Sequence, residues 1–220
     1  MSGAMTIAVI GGTGAEGSGL ALRWAHAGHR AIIGSRDQAK AQAAADDLNA
    51  LLDRSSIEGK NSDSAVDEAQ IVVLTVPYAA QLSTVEGLLT RLHGKILVDV
   101  TVPLIPPKVS TVQLPDSDSA AVALQAKVGS SVRVVSAFQN ISAHKLKKLD
   151  HTICCDVLVC CDDKDARLLV VGLAKDAGLR GIDAGPLANS TVAESLTSVL
   201  IWINRRYKVP DAGIVITGIE

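Results

Sequence analysis

Apolar positions along this chain gather into short continuous runs, separated by stretches in which they recur at helical spacing. Thr6–Ile10 is the first such run; without polar alternation it reads as a strand covered on both faces, as in a parallel sheet. It stops at a group of glycines. Residues 16–26 then read as a helix with Leu20, Trp24 and Ala27 on one side and Gly28 as its C-terminal stop. Residues 30–34 form a second strand, and the Ala- and Leu-rich stretch 37–54 a second helix with Asp37 as its N-terminal acid. Residues 71–76, 95–102 and 131–138 supply three more strands, with helices near 79–92 and 118–128 between them. Strands alternating with helices imply right-handed crossovers, so the predicted fold is α/β, a Rossmann-type doubly wound parallel sheet.

The pattern changes after Ile141. HTICCDVLVCCDD gives one more strand, KDARLLVVGLAKDAG a helix, and RGIDAGPLANS a loop rich in glycine and proline, in which Asn189 or Ser190 can cap the helix that follows. That last helix, TVAESLTSVLIWINRRY, spaces Val192, Leu196, Val199, Leu200 and Ile203 as a core face, and its centre VLIWI is apolar nearly all round. Such a helix is buried in its own protein or against a second copy, which predicts a homodimer.

SRDQAK, TVPY, TVPLIPP and AFQN each follow a predicted strand end, the edge at which open α/β sheets bind ligands. After the first strand, Gly12-Thr13-Gly14-Ala15-Glu16-Gly17 is a G-x-G-x-x-G opening a helix. In such a loop the first glycine permits a tight turn, the second lets backbone approach a pyrophosphate, and the third lets helix pack on strand. N–H groups and the dipole of the helix start attract the anion. A carboxylate there would repel it, so the Glu16 side chain is expected to point away. The second strand ends in Gly34, Ser35 and Arg36, where an acid would bind both ribose hydroxyls of NAD. Ser35 can donate a hydrogen bond, Arg36 can pair with phosphate or stack on adenine, and Lys40 adds charge one turn on; these favour NADP(H) over NAD, the plain alternative being a solvated basic patch at a helix start.

Composition narrows the class. With 48% apolar and 20% charged residues the 220-residue chain is globular, one domain plus a modest addition, and aromatics at 2% leave the core aliphatic. A net charge of -2 argues against broad nucleic-acid binding. No secretory signal is expected, because the first apolar run is short and strand-like, and IVVLTVPYAA is too short to span a bilayer, so no membrane partner is expected either. The leading MSGA before Met5 reads as an appended stretch. Cys154, Cys155, Cys160 and Cys161 lack zinc-knuckle spacing and are expected to be small core residues; unpaired thiols suit a reducing cytoplasm, and no metal is expected.

Carbonyl reduction normally needs a proton donor beside the nicotinamide. None of His26, His29, His93, His144 and His151 falls in a strand-end loop of the first domain; His144 comes nearest, and Tyr78 reads as a wall for the nicotinamide. No catalytic side chain is therefore expected, which suits a flat acceptor ring that delocalises its own charge and leaves catalysis to positioning.

IAVIGGTGAEGSGLALRWAHAGH, GSRDQAKA, VLTVPY, VVSAF, DAGPLANSTVAESLTSVLI and the closing GIVITGI together resemble the coenzyme F420-dependent NADP oxidoreductases along nearly the whole chain. The resemblance implies reversible hydride transfer between NADPH and C5 of the deazaflavin F420, without a metal. It implies NADP contacts at Thr13, Gly14, Ala15, Glu16, Ser35, Arg36 and Lys40, with Val76 and Ala143 at the nicotinamide end; Val76 and Ala143 could equally be packing, and Gly12 of the glycine loop and Pro77 beside Val76 are expected cofactor contacts as well. The acceptor would lie over that ring between AFQNISA and the C-terminal segment, against Gln139, Asn140 and Ile141. Where several relatives carry a histidine this chain has Gln139, whose neutral amide can hydrogen-bond a ring but carries no charge. The expected division is an NADP-binding Rossmann domain, 1–141, and a smaller α/β domain, 142–220, completing the acceptor site and dimer interface. Reduction of a flavin or small carbonyl compound, and NADP sensing without turnover, are the alternative functions.

Overall fold

The computed structural model describes residues 3–219; Met1 and Ser2 of the leading stretch, and Glu220, lie outside the described residues. Six strands, β1 (Thr6–Ile10), β2 (Arg30–Ser35), β3 (Ile57–Asn61), β4 (Ile71–Leu74), β5 (Ile96–Asp99) and β6 (Arg133–Ser136), form one parallel sheet in the order β3-β2-β1-β4-β5-β6. That is the doubly wound Rossmann order, with its switch point between β1 and β4. The strands inside the β3 edge alternate between two apolar layers. Ile7, Val9, Ile33, Val73 and Val98 face α1 (Ala15–His26) and α2 (Gln38–Leu52), while Ala8, Ile10, Ile32, Leu74 and Leu97 face α3 (Ser62–Glu68), α4 (Gln81–Leu92) and α5 (Ala120–Val128). Continuous apolar runs were therefore the correct strand signal, because both faces are covered.

Two elements in this unit have no counterpart in the sequence reading. β3 and α3 fill the interval between α2 and β4, and β3 is an edge strand whose Glu58 and Lys60 are only partly buried. Arg30, Glu58, Lys60 and Glu68 pair across this edge at 2.5–2.9 Å, so polar positions stand where an apolar run would mark a strand.

The second unit comprises α6 (Ala143–Leu146), β7 (Asp156–Val159), α7 (Lys164–Asp176), β8 (Arg180–Asp183) and α8 (Ser190–Tyr207). Residues read as a loop from Arg180 thus begin as a strand, parallel to β7. The pair joins the main sheet through one antiparallel bridge: Ser136 N–H donates to Cys160 O at 2.9 Å and Cys160 N–H to Ser136 O at 3.0 Å. Cys155, Cys160 and Cys161 are buried and Cys154 is exposed, all four as free thiols. The apolar layer around α1 continues without a break into Val157, Val159, Val170 and Leu173.

Helix α1 holds the two units together. Its interior carries Gly17, Ser18 and Gly19, all weak helix formers, so its stability comes from packing of Leu20, Leu22 and Trp24. It closes in a Schellman motif: Gly28 at φ +100° donates to Ala25 O, and His29 N–H to Trp24 O at 3.0 Å. The Trp24 indole N–H reaches Leu173 O of α7 at 2.9 Å, and its ring meets Phe138 edge-on at 5.7 Å. Arg23 is buried, and its guanidinium donates to five backbone carbonyls, those of Leu146 (2.8 Å), Ala177 (3.0 Å), Lys148 (2.9 Å), Lys145 (3.3 Å) and His151 (3.3 Å). One planar donor fork organises an entire loop that has little regular structure of its own.

The apolar pattern of α8 is inverted relative to expectation. Of the five positions read as a core face only Leu200 is buried, while Val192 and Val199 are exposed. The side turned inward carries Ser190, Ala193, Glu194 and Ser198. Neither Asn189 nor Ser190 caps the helix with its side chain: the Asn189 amide donates to Ala184 O at 2.7 Å, and Ser190 Oγ meets Ser119 Oγ at 2.7 Å.

Candidate dinucleotide and acceptor site

A cavity of about 640 Å³ opens at the C-terminal ends of β1, β2, β4 and β5, astride the switch point. The glycine loop forms its floor. Gly11, not Gly12, takes the left-handed conformation (φ +81°) that turns the chain, while Gly12 lacks a side chain because a Cβ there would lie 2.7 Å from Val9 O. A Cβ on Gly14 would meet only Gly11 O, at 3.5 Å, so the backbone here is bare toward open space. On Gly17 it would strike Thr75 Oγ1 at 2.4 Å, which makes this the glycine that seats α1 on the sheet. First-turn N–H groups of α1 have no intrahelical acceptor, so this loop is built to receive an anion.

Gly11, Thr13, Gly14, Glu16, Ser35, Arg36, Val76 and Pro77 all line this cavity. Gly12 lies buried beneath it, Ala15 faces outward, and Lys40 is exposed beside Asp37, 3.8 Å away. Asp37 caps α2 by accepting from Lys40 N–H. Ser35 Oγ accepts from Asp37 N–H at 3.2 Å, which leaves its own O–H to donate. Arg36 lines the cavity and has no ion pair or hydrogen bond among the described residues. Glu16 does not point away: it lines the cavity, and its Oε1 is buried without a partner. Burial pushes its carboxyl up to about 8, so it is mostly protonated at neutral pH and the expected repulsion of a diphosphate does not arise.

The strand-end segments TVPY and TVPLIPP do reach the cavity, Tyr78 among them, although none of their residues after Pro77 is an expected cofactor contact. Ser62 at the start of α3, Thr75, Ser83, Thr84, Val100, Thr101, Val102 and Leu104 line it as well. The signal was available in part, since TVPLIPP follows a strand end; Ser62 was invisible because α3 was not recognised.

A second pocket of about 140 Å³ lies between Gln139–Ser142, helix α8 and Ala212 near the C-terminus. The two share no lining residue but are linked through the backbone: Gln139 Nε2 donates to Asp99 O at 2.9 Å, and the next residues, Val100 and Thr101, line the large cavity. Gln139 also donates to Ser136 Oγ, and Asn140 Nδ2 to Asp156 O at 2.7 Å. Both amide nitrogens are thereby engaged, while Gln139 Oε1 and Asn140 Oδ1 are buried acceptors with no donor. Ala143, on the first turn of α6, lines neither pocket, and His144 is exposed.

Behind the large cavity sits a polar cluster that α8 completes. Glu194 is buried and accepts from Ala120 N–H (2.7 Å) and Ala121 N–H (3.1 Å), capping α5 from a distant helix. Asp99 is fully buried, accepting from Gln81 Nε2 at 2.6 Å and from Thr101 N–H. Burial pushes both carboxyls up to about 7 against those hydrogen bonds. The cluster fixes the starts of α4 and α5 and the first residues of the long loop between β5 and α5.

A family profile described as "NADP oxidoreductase coenzyme F420-dependent" matches residues 6–103. The chain is 41% identical to the F420-dependent NADP reductase of Methanocaldococcus jannaschii, over 98% of this chain and 100% of that one. It is 40% identical to the enzyme of the same name from Methanothermobacter marburgensis, over 98% and 99% of the two chains. A solved structure from Arthrobacter sp. FB24, named as a candidate F420-dependent NADP reductase, shares the fold with a TM-score of 0.79 at 24% identity, covering 97% of this chain and 99% of that one. With the Rossmann order, the bare glycine loop and full-length identity of this degree, the chain belongs to the F420-dependent NADP oxidoreductases.

Proposed function

We propose that the chain catalyses NADPH + F420 + H⁺ ⇌ NADP⁺ + reduced F420, by direct hydride transfer to C5 of the deazaflavin. The supporting observation is a pair of pockets linked through Gln139 and the backbone after β5, one floored by the glycine loop and lined by Arg36, the other lined by Gln139, Asn140 and Ile141. NADP(H) fits the first: a side chain at Gly14 would fill the space a diphosphate needs, and the free guanidinium of Arg36 suits a 2'-phosphate. When bound, NADPH supplies the hydride. Backbone N–H groups of Thr13, Ala15 and Glu16 would hold the diphosphate, the Gly14 N–H being taken by Gly11 O, and Ser35 and Arg36 would hold the adenosine end. Val76, Pro77 and Tyr78 wall the nicotinamide end and exclude water. On the other side, Gln139, Asn140 and Ile141 form the wall against which the acceptor ring packs. No side chain need move a proton onto a reacting carbon, so rate comes from approach and alignment. Mixing protein, NADPH and F420 should abolish the visible absorption of F420; an unchanged spectrum overturns the assignment.

The units divide this labour, with residues 1–141 holding NADP(H) and 142–220 completing the acceptor pocket. No helix among the described residues is long and apolar enough to cross a membrane, and the four free thiols support a cytoplasmic setting. The net charge of -2 supports small-molecule partners and not nucleic acid. We also propose a homodimer through α8, because Val192 and Trp202 are 64% and 60% exposed on a helix otherwise anchored in the protein. Sedimentation should give twice the chain mass, and Val199→Glu with Trp202→Glu should return it to one chain; a wild-type monomer overturns the proposal.

A further inference from the structure

Phe138 has φ +73°, a left-handed conformation that costs a bulky residue of order 1–3 kcal/mol and persists only where the surroundings impose it. The strained residue opens a turn, Phe138–Ile141, closed by Ile141 N–H donating to Phe138 O at 3.2 Å. That turn forms one wall of the smaller pocket. From inside the protein it is held by the Gln139 and Asn140 side chains on Asp99 O and Asp156 O, and by Trp24 against the Phe138 ring. Its outer carbonyl accepts from α8 and, among the described residues, from nothing else: Thr197, which also lines the pocket, donates through Oγ1 to Gln139 O at 2.9 Å. Thr197 lies one turn beyond Glu194, whose carboxylate fastens the same helix to the start of α5. Helix α8 is thus anchored on one loop and reaches across to clamp another.

We infer that Thr197 is a positioning residue for the acceptor, fixing through the Gln139 carbonyl the strained turn that forms the acceptor's wall. This rests on the acceptor assignment given above. The neutral hydrogen bond is intramolecular and of ordinary length, so losing it should weaken acceptor recognition about tenfold, the equivalent of roughly 1.4 kcal/mol, without touching the dinucleotide site.

Thr197→Val keeps the shape and removes the O–H. With F420 as acceptor its KM should rise about tenfold, while kcat and the KM for NADPH stay within twofold. Thr197→Ser, which restores the hydroxyl, should recover most of the loss. Amide hydrogen exchange over residues 138–142 should speed up in the valine variant only. Unchanged kinetics in Thr197→Val overturn the inference, as does an equal loss in every constant. A raised acceptor KM with unaltered exchange also overturns it, since Thr197 would then touch the acceptor directly. Should wild-type protein leave F420 unreduced, the acceptor assignment fails first, and the exchange measurement still reports whether Thr197 holds the turn.

Discussion

Replacing Arg23 with methionine is expected to destabilise the fold by roughly 3–5 kcal/mol, the scale seen when a buried charged hydrogen-bond network loses its donor. Methionine preserves much of the side-chain volume, so the loss is not a cavity effect. Of the five carbonyls held by one guanidinium, those of Leu146, Ala177 and His151 would be left with only water to pair them, while Lys145 O and Lys148 O keep the N–H groups of Lys148 and His151. Four of the five belong to the stretch 145–151, and the fifth ends α7, so the second unit should loosen first. Urea unfolding monitored at Trp24 would report the change. Arg23→Lys, with a single ammonium in place of the fork, should fall between wild type and methionine. A methionine variant within about 1 kcal/mol of wild type would show that the loop does not depend on this side chain.

Replacing Arg36 with alanine is expected to raise the KM for NADPH by roughly 10- to 100-fold, the range of a charge-assisted hydrogen-bond pair of about 1.5–3 kcal/mol, and to change that for NADH little. The selectivity matters more than the size. Arg36 pairs with nothing else among the described residues and lines the cavity, so truncation should not disturb packing. Lys40 stands beside Asp37, outside the cavity lining, and cannot replace it without moving. Steady-state kinetics with both nucleotides and saturating F420 decide the matter. Equal losses with NADPH and NADH would mean that Arg36 does not read the extra phosphate.

Much of this architecture is legible without coordinates because its signals are local. A parallel strand covered on two faces is an apolar run, and a dinucleotide loop is a spacing of glycines. Even so, the left-handed turn belongs to Gly11, one residue before the motif, because that assignment depends on how β1 meets β4. Elements whose character depends on distant partners escaped. β3 is polar because Glu58 and Lys60 form ion pairs with Arg30 and Glu68 from neighbouring elements. In α8, the inward position of Glu194 is stable only because two N–H groups of a helix 70 residues earlier point at it. Read alone, the helix offers Val192 and Val199 as its core face and hides its true one. Gln139 and Asn140 were identified as amides facing a ligand, yet their nitrogens serve Asp99 O and Asp156 O, and only their oxygens remain.

Helix α1 presents its first turn to the cavity and uses Arg23 and Trp24, near its other end, to grip the second unit. One inserted residue between Gly17 and Arg23 would swing everything downstream by about 100° around the axis. The guanidinium would then face away from its carbonyls, or the loop would face away from its anion. Descendants of this sequence can lengthen many surface connections, but the stretch from Gly17 to Trp24 has to be inherited at constant count.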